Sequence, residues 1–342
     1  YGRLVRDAEG RASQIVEARE ATPDQLSIQE VNTGLYAFDL AWLRSVLPTL
    51  QPHAHKNEVY LTDTVQIAAL EGRAGTMRLD DPDELMGVND RWALSEAQHI
   101  LQQRVLREHA CNGVTFEDAN NTRVELGVTL GQDVTIGPGA VIRSGCVVET
   151  GAVIGPHCVL TNTKVGPHAT LFSHTVCEGA IVGTEAKVGP FARLRPGTDL
   201  NEQSKVGNFV EVKKAVLEKG AKVNHLTYVG DAVVGKGANV GAGTITCNYD
   251  GYLKHKTEIG PGAFIGSNTA LVAPVRVGEG AIIGAGSVVT RDVPDDAIAV
   301  GRGDMRVAEG AAVRYRNKRQ ARKKAAEAAV SSTPKDPRMV PE

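Results

Sequence analysis

From about residue 124 to residue 300 the chain repeats every six residues. Aliphatic side chains fall at Leu130, Ile136, Ile142, Val148, Ile154 and Leu160. After one-residue slips they resume at Val188, Leu194, Leu200, Val206 and Val212, and they close at Ile259, Ile265, Leu271, Val277, Ile283 and Val289. A glycine follows many of them, as in Ile136-Gly137, Ile154-Gly155, Val188-Gly189 and Ile265-Gly266, and small residues such as Ala140, Ala152, Ala169 and Ala281 tend to stand four positions on. This period matches neither a helix face nor a hairpin strand. It suits one short strand plus a corner, and such units can be wound into the walls of a solenoid. Three walls give a coil of about 18 residues, stacked about 4.8 Å from the next, with the aliphatic side chain pointing inward. Glycine and asparagine are expected at the strained corners. An ordinary parallel α/β sheet would need helices between its strands, and no helical segment fits within the stretch.

Composition agrees with a narrow prism. Glycine supplies 37 of 342 residues and aromatics only 4 %, while hydrophobic residues still make up 42 %. The core is therefore aliphatic and too thin for many rings. The pattern resembles the left-handed parallel β-helix of hexapeptide-repeat proteins. A net charge of −2 points to neither nucleic acid nor membrane, and no apolar run is long enough to span a bilayer. No signal-peptide pattern precedes the first residues, and the missing initiator methionine suggests a fragment or a processed chain. Five scattered cysteines without a CxxC pair read as reduced thiols of a cytoplasmic protein.

The flanks differ. Residues 1–92 mix short apolar runs with a helical pattern around Trp42–Leu50, as expected for part of an α/β domain. Residues 93–112 read as a linker helix with Leu94, Ala97, Leu101 and Val105 on one face, capped by Asn89 or Asp90 and ended by Asn112-Gly113. The solenoid domain then covers 113–302, and 303–342 is a tail with the basic run Arg314–Lys324 before a Pro-rich, disordered end. A solvated face and a polyanion contact are the two readings of that run.

A solenoid has no active site of its own, so the polar residues that interrupt the hexad indicate where chemistry can sit. They are densest from 191 to 254. Arg195 and Lys213 are 18 apart with the phase unbroken, so they should stack one coil apart. Two such cations repel unless an anion, most naturally a phosphate, lies against them; two solvated cations are the alternative. A slip between Val212 and Leu217 places Asn208 beneath His225 and Glu211 beneath Tyr228. His225 in this company is a candidate general base, with Glu211 a candidate to orient it. The insert Cys247–Glu258 breaks the hexad at length and can reach a ligand or a neighbouring subunit. Ser267 and Ala285 are again 18 apart, small, and suited to line a groove for an elongated ligand. Cys247 beside the site reads as structural.

The strings GPFARLRPG, VGNFVEVKKA, HLTYVGDA, NVGAGTITCNYDG and KHKTEIG resemble the acetyltransferase half of the GlmU family. These are bacterial bifunctional glucosamine-1-phosphate N-acetyltransferases and N-acetylglucosamine-1-phosphate uridyltransferases. IQEVNTGLYAFD, EVYLTD and GVNDR resemble the C-terminal part of the family's uridyltransferase domain, so the resemblance spans about residues 1–302. It implies that His225 is the base that deprotonates the substrate amine. Arg195 and Lys213 would hold the sugar phosphate, and Tyr228 and Asn239 the sugar. Asn248 and Tyr249 would line the acetyl site, with Asn248 an oxyanion donor. Ala242, Ser267, Ala285 and Arg302 would contact acetyl-coenzyme A. In the first domain Gly2, Glu17 and Asn32 would contact the nucleotide-sugar and Asn89 would be a Mg²⁺ ligand.

The resemblance also places the family's glycine-rich loop and metal-binding aspartate upstream of Tyr1, so uridyl transfer by these residues is expected to be lost. The segment His53-Ala54-His55-Lys56-Asn57 departs from the family's usual pattern. A homotrimer with shared acetyl sites, a cytoplasmic location and a place in UDP-N-acetylglucosamine, peptidoglycan and lipopolysaccharide synthesis are likewise implied. Two other classes compete. A non-catalytic β-helix scaffold is set against the presence of every acetyl-site residue. A histidine-metal lyase is set against His168 and His174 lacking a third partner at coil spacing.

Overall fold

The computed structural model describes residues 1–53, 58–305 and 307–331. The divergent segment Ala54–Asn57 and the Pro-rich end lie outside the described residues. The chain forms two compact units, Tyr1–Glu108 and His109–Glu342.

The first unit opens with an antiparallel hairpin, Arg3–Arg6 against Ala12–Val16. Asp7 shapes its turn by accepting from the backbone N–H groups of Glu9 and Arg11. Helix Leu40–Val46 is capped by Asp39, whose side chain accepts from Trp42 N, and it runs into a short 3₁₀ turn at Leu47–Thr49. His53 is held between Asp63 Oδ2, 2.8 Å from Nε2, and Glu20 Oε2, 3.5 Å from Nδ1. Helix Arg91–Cys111 starts at Asp90, whose carboxylate accepts from Ala93 N at 2.8 Å, and ends before Gly113 at φ 95°. Its expected apolar face is only partly covered: Val105 and Leu106 are buried, whereas Leu94 and Leu101 stay exposed. The basic run lies on helix Ala311–Ser331.

The second unit is a parallel β-solenoid with three walls. One wall is eleven strands deep among the described residues. Its register pairs Lys187 with Lys205 and Lys205 with Lys222, coils of 18 and 17 residues. Inside the prism Ile136, Ile142, Ile154, Leu160, Leu171, Leu194, Leu200 and Leu217 are fully buried. Each is worth roughly 1.5–3 kcal/mol relative to exposure. The interior is thus the predicted aliphatic ladder.

Glycine has the expected role and a second one: Gly139, Gly145, Gly151, Gly243 and Gly286, with Asn162 and Asn268, take left-handed corners at φ between 44° and 79°. Gly137 and Gly155, each following an inward aliphatic, do not need positive φ. A Cβ there would lie 2.7 Å from Pro156 N and 2.8 Å from Leu171 O, so they are glycine because the next coil's backbone passes too close. One corner also holds His157, His174, Phe191, Phe209 and Leu226 in the left-handed region, all at φ between 50° and 59°. Left-handed backbone costs such residues about 1–2 kcal/mol. Stacking offsets it: His157–His174, His174–Phe191 and Phe191–Phe209 ring centroids lie 5.0, 4.8 and 5.5 Å apart. The scarce rings of this unit therefore decorate an outer edge, which the composition could not indicate.

Candidate active site

Strand Glu211–Leu217 runs unbroken through two walls, turning the corner at Lys214 with φ 45°. Its pairing sets the site. Arg193 opposite Glu211 and Leu194 opposite Val212 carry Arg195 alongside Lys213. Glu211 stands opposite Tyr228 and Lys213 opposite Gly230. Arg195 Nη1 donates to Glu211 Oε1 at 2.8 Å, and this carboxylate raises the Arg195 pKa.

Tyr228 folds over Gly230. A Cβ on Gly230 would collide with the Tyr228 hydroxyl and lie 2.8 Å from Asn248 Nδ2. Asn248 is only 7 % exposed, and its Nδ2 donates to Asp231 Oδ2 at 2.5 Å.

The expelled loop is shorter than the sequence suggested, because strand Thr257–Ile259 already pairs with Ala232–Val234. Asp250 braces it, accepting from Tyr252 N and Leu253 N through Oδ1 and lying 2.7 Å from His255 Nε2 through Oδ2. These contacts, His255 first, bring the Asp250 pKa down to about 2. Tyr249 bridges to Lys254 across the loop, and a side-chain hydrogen bond with Lys213, followed by the Lys213 charge, holds Lys254 below the usual lysine range. Lys254 thus joins the cationic surface beside Arg195 and Lys213. The sequence reading named the loop but gave Lys254 no role, because nothing periodic connects it to Lys213.

A second group of candidates forms a column along one corner. Asn208 lies opposite His225. Gly243 N then donates to His225 O at 3.2 Å, Asn268 N to Ala242 O at 2.7 Å and Gly286 N to Ser267 O at 2.8 Å. Arg302 Nη1 reaches Ala285 O at 2.5 Å. His225, Ala242, Ser267, Ala285 and Arg302 therefore climb one coil at a time. Asn239, paired with Lys222 and Phe264, sits on the adjoining wall. His225 is exposed, and only Leu226 and Thr227 separate it in sequence from Tyr228.

The structure corrects one assignment. Glu211 does not face the His225 ring; its carboxylate is engaged by Arg195. The group that holds His225 is Asn208, with Oδ1 2.7 Å from Nδ1. The register was legible from the spacing, but both Asn208 and Glu211 sit one coil below the site. Only the side-chain directions decide between them. If the Asn208 amide oxygen accepts from Nδ1–H, Nε2 is left as the basic nitrogen. Asn208→Ala is expected to lower turnover by roughly 10-fold with little change in thermal midpoint, because a surface hydrogen bond contributes only about 1 kcal/mol. Steady-state rates and thermal unfolding of the variant check this.

In the first unit Gly2, Glu17 and Asn32 are neighbours: Asn32 N donates to Gly2 O at 2.8 Å, and a Cβ on Gly2 would lie 3.4 Å from Glu17 Oε1. Tyr1 Oη accepts from Gly87 N at 2.8 Å, close to Asn89. Asn89 by itself does not fit a Mg²⁺ site, since that ion needs carboxylate or phosphate oxygens. Among the described residues no group of three or more His, Cys, Asp and Glu side chains converges on a metal position.

Comparisons with known proteins show the family to which the chain belongs. The bacterial transferase hexapeptide model (six repeats) matches residues 127–162 and 256–291. The bifunctional protein GlmU of Alkalilimnicola ehrlichii is 47 % identical over 311 residues, covering 91 % of this chain and 67 % of its own length. That of Methylococcus capsulatus is 46 % identical over 313 residues, covering 91 % and 68 %. Among solved structures, the UDP-N-acetylglucosamine acyltransferase from Campylobacter jejuni aligns at 18 % identity and TM-score 0.40, covering 59 % of this chain and 78 % of that one. With its hexapeptide-repeat, left-handed β-helix, acyltransferase-type unit, the chain belongs to the family of the bifunctional protein GlmU.

Proposed function

We propose that the chain transfers the acetyl group of acetyl-coenzyme A to the amino group of glucosamine-1-phosphate. The observation that carries this reading is the corner column. It starts at an exposed histidine with one ring nitrogen engaged by Asn208 and continues upward through two small residues, Ser267 and Ala285, to Arg302. An extended thioester can lie along such a ledge, with Arg302 available for its phosphates. On the neighbouring wall Arg195, Lys213 and Lys254 supply cations for the sugar phosphate.

The chemistry follows from these groups. An amine attacks only when neutral, so His225 Nε2 takes the ammonium or developing ammonium proton. The nitrogen adds to the thioester carbonyl, and the C–N bond forms as the carbonyl oxygen becomes an oxyanion. The Asn248 amide is the donor we assign to that oxygen. Collapse breaks the C–S bond, and the thiolate leaves as the coenzyme A thiol on taking up the proton. No covalent enzyme intermediate is needed, so Cys247 has no part in the step.

We further infer a homotrimer in which each acetyl site is shared between copies. The support is that the cationic wall and the His225 column flank the Phe209–Leu226 corner rather than facing one another. Gly2, Glu17 and Asn32 are assigned to nucleotide-sugar contacts. Among the described residues no helix is long and apolar enough to cross a membrane. We propose a cytoplasmic location on the family resemblance.

The deciding experiment follows thiol release from acetyl-coenzyme A with glucosamine-1-phosphate as acceptor. Stoichiometric thiol and acetamide are expected. Absence of thiol release with this acceptor would sink the reading.

A further inference from the structure

We propose that Asp231 is a positioning residue that sets the orientation of the Asn248 amide in the acetyl site. The inference rests on the reading of Asn248 given above and extends it to a residue that has no role there.

Asp231 turns a solenoid corner with φ 48°, directly after Gly230. Asn248 occupies the same corner one coil on, since Tyr228 pairs with Ile245 and carries Asp231 opposite Asn248. The two side chains meet, with Asn248 Nδ2 2.5 Å from Asp231 Oδ2. An amide can present either its oxygen or its nitrogen to a partner, but an ionised carboxylate only accepts. Asp231 therefore fixes which way the amide lies. One N–H is committed to Asp231, which leaves the second as the donor we assign to the oxyanion. The backbone leaves Asn248 little other freedom. It is buried, its N–H donates to Thr246 O at 2.9 Å, and its carbonyl accepts from His255 N at 2.9 Å. The remaining degree of freedom is the amide flip, and Asp231 removes it.

The same carboxylate lies close enough to Lys254 to act on its charge, partly opposing Lys213. Removing it makes the cationic wall more positive, not less. A positioning role thus predicts a split: turnover falls while the Michaelis constant for glucosamine-1-phosphate stays level or drops. A loss of folding would worsen both.

The test is a double-mutant cycle in the 342-residue chain. Asp231→Ala, Asp231→Asn, Asn248→Ala and Asp231→Ala/Asn248→Ala are assayed for kcat and for both Michaelis constants. A missing oxyanion donor costs about 10²–10³ in kcat, so Asn248→Ala should fall in that range. Asp231→Ala should lose roughly 10- to 100-fold. In the Asn248→Ala background the Asp231→Ala change should cost less than about threefold, since residues acting as one unit are not additive. Asp231→Asn, which keeps both the tolerance of left-handed backbone and an accepting oxygen, should recover part of the turnover and guards against a folding defect at the corner.

Additive losses in the double variant overturn the proposal, as does Asp231→Ala turnover within about twofold of the parent while Asn248→Ala is impaired. If Asn248→Ala itself stays within about twofold, the assignment of Asn248 to the acetyl site fails first, and the proposal falls with it.

Discussion

Replacing His225 by alanine should lower kcat for acetyl transfer by about 10²–10⁴-fold, the usual contribution of a positioned general base. The fold should survive. His225 is exposed at the end of strand Lys222–His225, and its side-chain partner is Asn208. Losing that hydrogen bond costs about 1 kcal/mol, while the buried aliphatic ladder below is untouched. The defect should also shrink as pH rises, because more of the substrate amine is then neutral without help from the protein. A thiol-release assay across pH, with thermal unfolding as the control, measures both. Turnover within about threefold of the parent would remove His225 from the mechanism.

Gly230→Ala should be nearly as damaging for a different reason. Gly230 is held on both sides by Thr246, whose hydroxyl accepts from Gly230 N at 2.8 Å and lies 3.1 Å from Gly230 O. The backbone there cannot step aside. It is not in the left-handed region, so alanine is conformationally acceptable. The new methyl must instead displace the Tyr228 ring end and the Asn248 amide, the latter only 2.8 Å from its position. Misplacing site groups by about 1 Å can cost 10²-fold, and here two move together. Stability should fall as well, by about 1–3 kcal/mol for overpacking, partly offset by about 0.4–1 kcal/mol from the more restricted unfolded chain. The check is kcat/KM beside the unfolding midpoint. Unchanged kcat/KM would show that Tyr228 and Asn248 are not needed where the structure puts them.

The prism and much of the register were readable from residues alone. Inward positions such as Ile136, Ile154 and Leu194 recur by six, and the stacking of Arg195 on Lys213, Asn208 on His225 and Glu211 on Tyr228 follows from counting coils. Counting failed where direction mattered. Glu211 and Asn208 are both one coil below the site, and only rotamers show that the first meets Arg195 and the second His225. It was incomplete at the glycines: Gly139 and Gly145 take left-handed corners as expected, but Gly137 answers to Pro156 in the next coil rather than to its own dihedrals.

In a solenoid each coil rests on the one before, so sequence separation translates almost directly into spatial separation. That is why composition, the six-residue period and the 17- and 18-residue spacings were enough to determine the wall, the core and the rows of candidate residues. Periodicity says nothing about a loop that leaves the wall or about which of two facing polar groups a side chain turns toward. The return of Lys254 to Lys213 and the Asp231 contact to Asn248 were therefore decided only in three dimensions. In both, close packing and charge select one arrangement among several that the same spacing allows.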